Sequence, residues 1–208
     1  MNNLLDIIEN LKRTETKKLV DDKIKEFKEN MKKSSNEIFL ELCFCILTAN
    51  FNARKTIKIQ KNIGNEFLTL GEVQMAKKLK KLGHRHPNIR AKYIIEARKY
   101  KNTLKEIIES FNNENKTREW LVNNIKGIGY KEASHFLRNI GYENLAIIDF
   151  HIIDILIKYE LIKEPKTLTK TKYIKIEKLL KKIAKKSKLN LAELDLYLWF
   201  AETGYILK

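Results

Sequence analysis

The chain has 208 residues, of which 43% are hydrophobic and 33% charged, so it is long enough to bury a core and is neither disordered nor membrane-like in bulk. With only 7 Gly and 2 Pro, it lacks the punctuation of a many-turned sandwich or barrel and favours long helices. An excess of 42 Lys+Arg over 26 Asp+Glu gives +16, which attracts polyanions, nucleic acid first and an acidic membrane surface second. A lysine-rich genome produces the same excess, so charge by itself favours DNA or RNA only modestly.

Apolar residues recur at helical spacing almost throughout. Leu4, Leu5, Ile7, Ile8 and Leu11 mark a first helix, and Val20, Ile24, Phe27 and Met31 a second. Ser34-Ser35-Asn36 supplies N-caps for a buried third helix carrying Ile38, Phe39, Leu42, Cys43, Ile46 and Leu47. Asn50-Phe51-Asn52 interrupts it, Ile57, Ile59 and Ile63 continue to Gly64, and the stretch 73–82 closes at Gly83. Further helices are predicted over 90–100, 104–111, 118–125, 130–140, from Asp149, over 174–183 and over 191–200, with Pro165 as a break. No run alternates with period two, so the fold class is all-α. The chain is expected to form two lobes, a central one over about 36–140 and a terminal one from 1–35 plus 141–208.

Cys43 and Cys45 are the only cysteines; two apart on one helix they point roughly 200° apart and cannot bridge to each other. They read as small core hydrophobes, since a metal site borrowing His84 and His86 lacks further ligand spacing. Asp6 and Glu9 within the first ten residues speak against a signal peptide. The longest apolar run, 38–49, is broken by Glu41 and falls short of the ~20 residues of a bilayer span. A soluble cytosolic protein is expected.

The chemistry centres on Lys126-Gly127-Ile128-Gly129-Tyr130-Lys131. A helix ends, two glycines one apart make a hairpin, and another helix starts at once. Such a hairpin lets the backbone approach a phosphate, with the amides of the following helix and its dipole aimed at the anion. A tight helix–helix turn with Ile128 plugging the core explains the same residues. Lys131, in the first turn of the new helix, lies at its positive end, which favours the neutral nucleophilic amine. Eighteen residues on, Asp149 follows the apolar run Leu145-Ala146-Ile147-Ile148, which sets its carboxylate at the mouth of a core; it is also a good helix N-cap.

Residues 126–139 and Ile147-Ile148-Asp149-Phe150-His151 resemble the helix-hairpin-helix DNA glycosylase superfamily, and within it the short archaeal and bacterial class of 8-oxoguanine DNA glycosylase/AP lyase. The resemblance extends through Cys43–Asn50, Leu82-Gly83-His84-Arg85 and Leu194–Phe200 to Leu207-Lys208, and so covers nearly the whole chain. It implies a two-lobed fold with the active site between the lobes. It also implies Lys131 as Schiff-base nucleophile and Asp149 as essential carboxylate, acting on a nucleotide flipped out of the duplex. Gly127, Ile128, Gly129 and His151 would hold the DNA backbone. Asn50 would fill the gap left by the flipped base, Arg90 would read the orphaned cytosine or equally face a phosphate, and Arg54 would touch the orphaned base or its backbone. Trp199, Phe200 and Lys208 would recognise the flipped base, the final lysine helping to tell 8-oxoguanine from guanine. The implied partner is double-stranded DNA carrying 8-oxoguanine or an abasic site, bound by a monomer without metal or other cofactor and without a membrane.

Phe150 stands where many relatives carry Arg or Lys, and Arg54 also departs from several of them. The rival within the superfamily is an endonuclease III-like glycosylase for oxidised pyrimidines; many of these hold an iron–sulfur cluster on four C-terminal cysteines, and this chain has no Cys after Cys45. Outside it, the rival is a non-catalytic helix-hairpin-helix DNA-binding module, which needs neither Lys131 nor Asp149. A membrane-surface protein needs a helix that is apolar on one face and basic on the other; residues 170–188 come nearest, but their apolar side chains are expected to pack inward.

Overall fold

The computed structural model describes residues 1–208 apart from the side chain of Asn2, and the described residues contain helices and no strand. In chain order the helices are α1 (Asn2–Leu11), α2 (Thr16–Met31), α3 (Ser35–Thr48), α4 (Ala53–Ile63), α5 (Glu72–Lys81), α6 (Pro87–Ala97), α7 (Leu104–Glu109), α8 (Glu114–Asn124), α9 (Tyr130–Asn139), α10 (Phe150–Lys158), α11 (Lys170–Lys186) and α12 (Leu191–Thr203). Short 3-10 turns follow α4 over Gly64–Leu68 and α6 over Arg98–Tyr100, where the sequence pattern gave no separate element. Among the described residues, no helix is long and apolar enough to cross a membrane.

The chain divides into two compact units, one of residues 30–136 and one of residues 1–29 with 137–208. The first is built on α3, which is buried on nearly every side from Ile38 to Thr48 and packs against α4, α6 and α7. Its start is fixed by a capping box: the Ser34 hydroxyl accepts the Glu37 amide, and Glu37 returns a carboxylate to the Ser34 amide. Cys43 and Cys45 are buried on this helix, and burial pushes the Cys43 thiol well up from its ordinary value, as befits an inert core residue.

In the second unit α12 is the central helix, with contacts to α1, α10 and α11. Val20, Ile24 and Phe27 of α2 pack on Ala192, Leu196 and Tyr197 of α12, with Leu11, Leu189 and Ile206 at the edge of that cluster. Asn190 and Glu193 form a second capping box at the start of α12, and Gly204 ends it in the left-handed conformation. Arg138 at the end of α9 lies 2.5 Å from Asp195 and 4.9 Å from the Phe27 ring, so its charge is paired on one side and packed on the other.

Candidate active site

The hairpin joins α8 to α9 within the first unit. Ile125 and Ile128 are buried on either side of Gly127, so the turn plugs the core, while Gly129 is exposed. Gly127 has φ +81, and a Cβ there would stand 2.4 Å from Tyr93 Cδ2 and 3.1 Å from Arg90 Nη1. Glycine is therefore required for conformation and for space. The first helical bond of α9 runs from the Ala133 amide to the Gly129 carbonyl at 2.9 Å. Glu132 reaches back to accept the Gly129 amide at 3.3 Å, the return half of a capping box.

Lys131 is thus the second residue of α9, with Nζ 3.9 Å from Glu132 Oε1 and its side chain 23% exposed. The first turn of α9 is held from α8. Arg118, wholly buried, donates to Ser134 Oγ at 3.2 Å and to Asn115 Oδ1 at 3.0 Å, and its guanidinium lies 5.1 Å from the Tyr130 ring. The Tyr130 hydroxyl in turn bonds Glu119. The nucleophile candidate therefore stands on a turn clamped on both flanks.

Asn50 follows α3 with φ +55 and an exposed side chain; among residues with a Cβ, Asn tolerates this left-handed conformation well. Two buried side chains fix the backbone before it. His84 Nε2 bonds the Leu47 carbonyl at 3.0 Å while its Nδ1 accepts the His86 amide at 3.0 Å, and Phe51 stacks 4.3 Å from its ring. Burial holds His84 below its ordinary value, in keeping with a neutral ring. No group of three His, Cys, Asp or Glu side chains poised for a metal occurs among the described residues. Arg90 donates Nη2 to the Ala49 carbonyl at 2.6 Å and is only 7% exposed, so its guanidinium is turned into the protein. Burial pulls Arg90 below its ordinary value, partly offset by the Glu132 carboxylate. Arg54 is exposed in the first turn of α4.

In the other unit, residues 145–148 are all buried and carry the chain into α10. Two α11 side chains one turn apart hold this run. Glu177 accepts the Ala146 amide at 3.0 Å; the Tyr173 hydroxyl donates to the Ala146 carbonyl at 2.7 Å and accepts the Ile148 amide at 3.2 Å. Asp149 then caps α10, its Oδ1 accepting the Ile152 amide at 3.0 Å. The cap aligns the carboxylate with the positive end of the helix and removes its freedom to turn away. Sequence reasoning missed both α11 anchors, although Glu177 is the one acid in a lysine-rich helix and shares its apolar side with Tyr173.

Two residues after Asp149, His151 meets one expected base-recognition residue, Trp199. His151 stacks on Phe150 at 3.9 Å and meets the edge of Trp199 at 4.8 Å, and Trp199 meets Tyr205 at 6.3 Å. The indole Nε1 is buried without an acceptor among the described residues, which leaves one donor unpaired. Phe200 is turned elsewhere: with Leu4, Ile7, Ile155 and Tyr159 it lines a cleft of about 420 Å³. Phe150 is 65% exposed at the start of α10. Lys208 is half-buried.

A family model described as 8-oxoguanine DNA glycosylase matches residues 20–189. The 8-oxoguanine DNA glycosylase/AP lyase of Methanocaldococcus jannaschii is 55% identical over 206 residues, covering 99% of each chain, and that of Korarchaeum cryptofilum is 47% identical over 209 residues. Among solved structures, the M. jannaschii 8-oxoguanine glycosylase/lyase in complex with a 15mer DNA containing 8-oxoguanine aligns with TM-score 0.96, 54% identity and 99% coverage of each chain. The 8-oxoguanine DNA glycosylase of Thermotoga maritima aligns with TM-score 0.93 and 41% identity, covering 100% of this chain and 99% of that one.

Proposed function

The chain belongs to the 8-oxoguanine DNA glycosylase family, and from that premise we propose that Lys131 and Asp149 carry its chemistry. It is a DNA glycosylase/AP lyase that removes 8-oxoguanine from DNA. In the proposed mechanism the neutral Lys131 amine attacks C1′ of the flipped nucleotide and the C1′–N9 bond breaks, the base leaving with the proton that the amine loses; the C1′–O4′ bond then opens, O4′ taking a proton, and the sugar is left as an imine on Lys131. That imine acidifies C2′, so loss of a C2′ proton expels the 3′ phosphate by β-elimination. Asp149 stabilises the positive charge that builds on the sugar as the base departs.

The observation that carries the assignment is the local build of Lys131: a primary amine on the second residue of a helix that begins at a glycine hairpin, pinned by Arg118, Tyr130 and Glu132. The hairpin backbone at Gly127–Gly129, with His151 at the start of α10, is proposed to hold phosphates. Asn50 fills the gap left by the flipped base, Arg54 lies toward the orphaned base, and Trp199 and Lys208 face the extruded one. The contact of Trp199 with His151 and its unpaired indole donor support this role. For Arg90 the proposed reading changes from a cytosine or phosphate contact to an internal brace, because its guanidinium donates to the Ala49 carbonyl. The activity assigns the protein to the compartment of the chromosome, the cytoplasm.

Incubation with labelled duplexes bearing 8-oxoguanine, thymine glycol or an abasic site tests this function. Excision of 8-oxoguanine with strand cleavage, and little action on thymine glycol, is expected. Preferred excision of thymine glycol would move the chain to the pyrimidine-specific branch.

A further inference from the structure

The +16 charge of the chain is unevenly spread. Helix α11 holds eight lysines and a single acid, Glu177, a net +7 within 17 residues. Tyr173, Ile176, Glu177, Leu180, Ile183 and Ala184 are buried, so the acid lies on the inner face, bonded to the Ala146 amide. Lys170, Lys172, Lys175, Lys178, Lys181, Lys182, Lys185 and Lys186 are all exposed. At 100° per residue they spread over roughly 200° of the helix surface with no acid of the helix between them. Even Lys181, the lysine that approaches Glu177, stands 3.9 Å from its carboxylate.

Lysine-rich composition alone does not produce this face. Helix α2 is nearly as long and carries five lysines, but four acids stand among them. Lys17 pairs with Asp21 at 2.5 Å and Lys23 with Glu26 at 2.6 Å. The same chain thus intersperses its surface lysines with acids on one helix and leaves acids off the outer face of another. Like charges at i,i+3 and i,i+4, such as Lys178 with Lys181 and Lys182, oppose helix formation. Such a cost persists where a partner outside the chain supplies the missing negative charge.

We propose that the outer face of α11 is a second, sequence-independent contact for the sugar–phosphate backbone of duplex DNA, additional to the glycine hairpin. Seventeen residues make a rod of about 25 Å, the length of about seven phosphates along one strand. Lysine suits such a contact, because flexible point charges follow a phosphate ladder without demanding the bidentate geometry that arginine imposes. The inward-facing apolar side rules the helix out as a membrane-inserting amphipath, because its apolar face is already occupied by the protein.

The inference rests on the DNA reading of the chain, and its test separates the two. Lys175, Lys178, Lys182 and Lys185 are changed together to Gln, and binding to an undamaged 40-base-pair duplex is followed from low to high salt. Each phosphate contact contributes about 0.9 to the slope of log K against log salt, so the slope should fall by up to about 3.6, with affinity at moderate salt weaker by roughly tenfold or more. A control with Lys17, Lys18, Lys23 and Lys25 changed to Gln removes the same charge from α2, where the expected fall is below about 1. An unchanged slope in the α11 variant overturns the proposal, as do equal falls in both variants, which would show net charge alone at work. Loss of binding to phosphatidylglycerol vesicles with the duplex slope retained overturns it in favour of a membrane. A wild-type protein that binds no duplex would sink the DNA reading itself.

Discussion

Arg90 shows how one side chain is redefined by its surroundings. On one side it holds the carbonyl that precedes Asn50, and on the other it lies beneath Gly127. The same guanidinium therefore braces the loop expected to enter the DNA stack and the hairpin expected to grip the backbone, within one unit. A residue that read cytosine would set the preference among opposite bases; a brace would not. Arg90→Gln leaves the Ala49 carbonyl without its charged donor, a loss on the order of 1–3 kcal/mol when such a group stays buried. Weaker binding to all duplexes is expected, with the ranking of the four opposite bases unchanged. Excision rates measured with 8-oxoguanine opposite each base decide it, and a selective loss for cytosine would restore the base-reading role.

At the level of elements, the run before Asp149 shows how a buried polar anchor directs a catalytic candidate. Residues 145–148 have no helical partners for their backbone, and Tyr173 and Glu177 supply them. Tyr173→Phe removes one hydroxyl that serves both Ala146 and Ile148. A destabilisation of about 1–3 kcal/mol is expected from the two backbone groups left unpaired, read as a lower Tm. Because the run sets the start of α10 and hence the Asp149 cap, kcat for excision should fall while DNA affinity holds. Unchanged kcat in a folded Tyr173→Phe protein would show that Asp149 is positioned by its cap alone. The helices themselves were legible from periodicity: the cap at Ser34 and the stop at Gly64 fall where the sequence signals them. The 3-10 turns were not, since five residues or fewer carry no period to detect.

For the whole molecule, the motif was legible because its chemistry is local. Gly127, Gly129 and Lys131 lie within five residues, and the helix start that orients Lys131 is written in the same stretch. What escaped the sequence depends on distant partners: the turn of Arg90 toward Ala49, 41 positions away, and the reach of Glu177 to Ala146, 31 positions away. Neighbouring aromatics also part company, Trp199 toward His151 and Phe200 into the cleft with Leu4, because successive helical residues point about 100° apart. The central claim is that Lys131 forms the covalent bond to DNA. Borohydride reduction during reaction with an 8-oxoguanine duplex should trap the wild-type protein on the strand, and Lys131→Gln should abolish trapping while keeping affinity for the damaged duplex. Undiminished trapping by the Lys131→Gln protein would contradict the account.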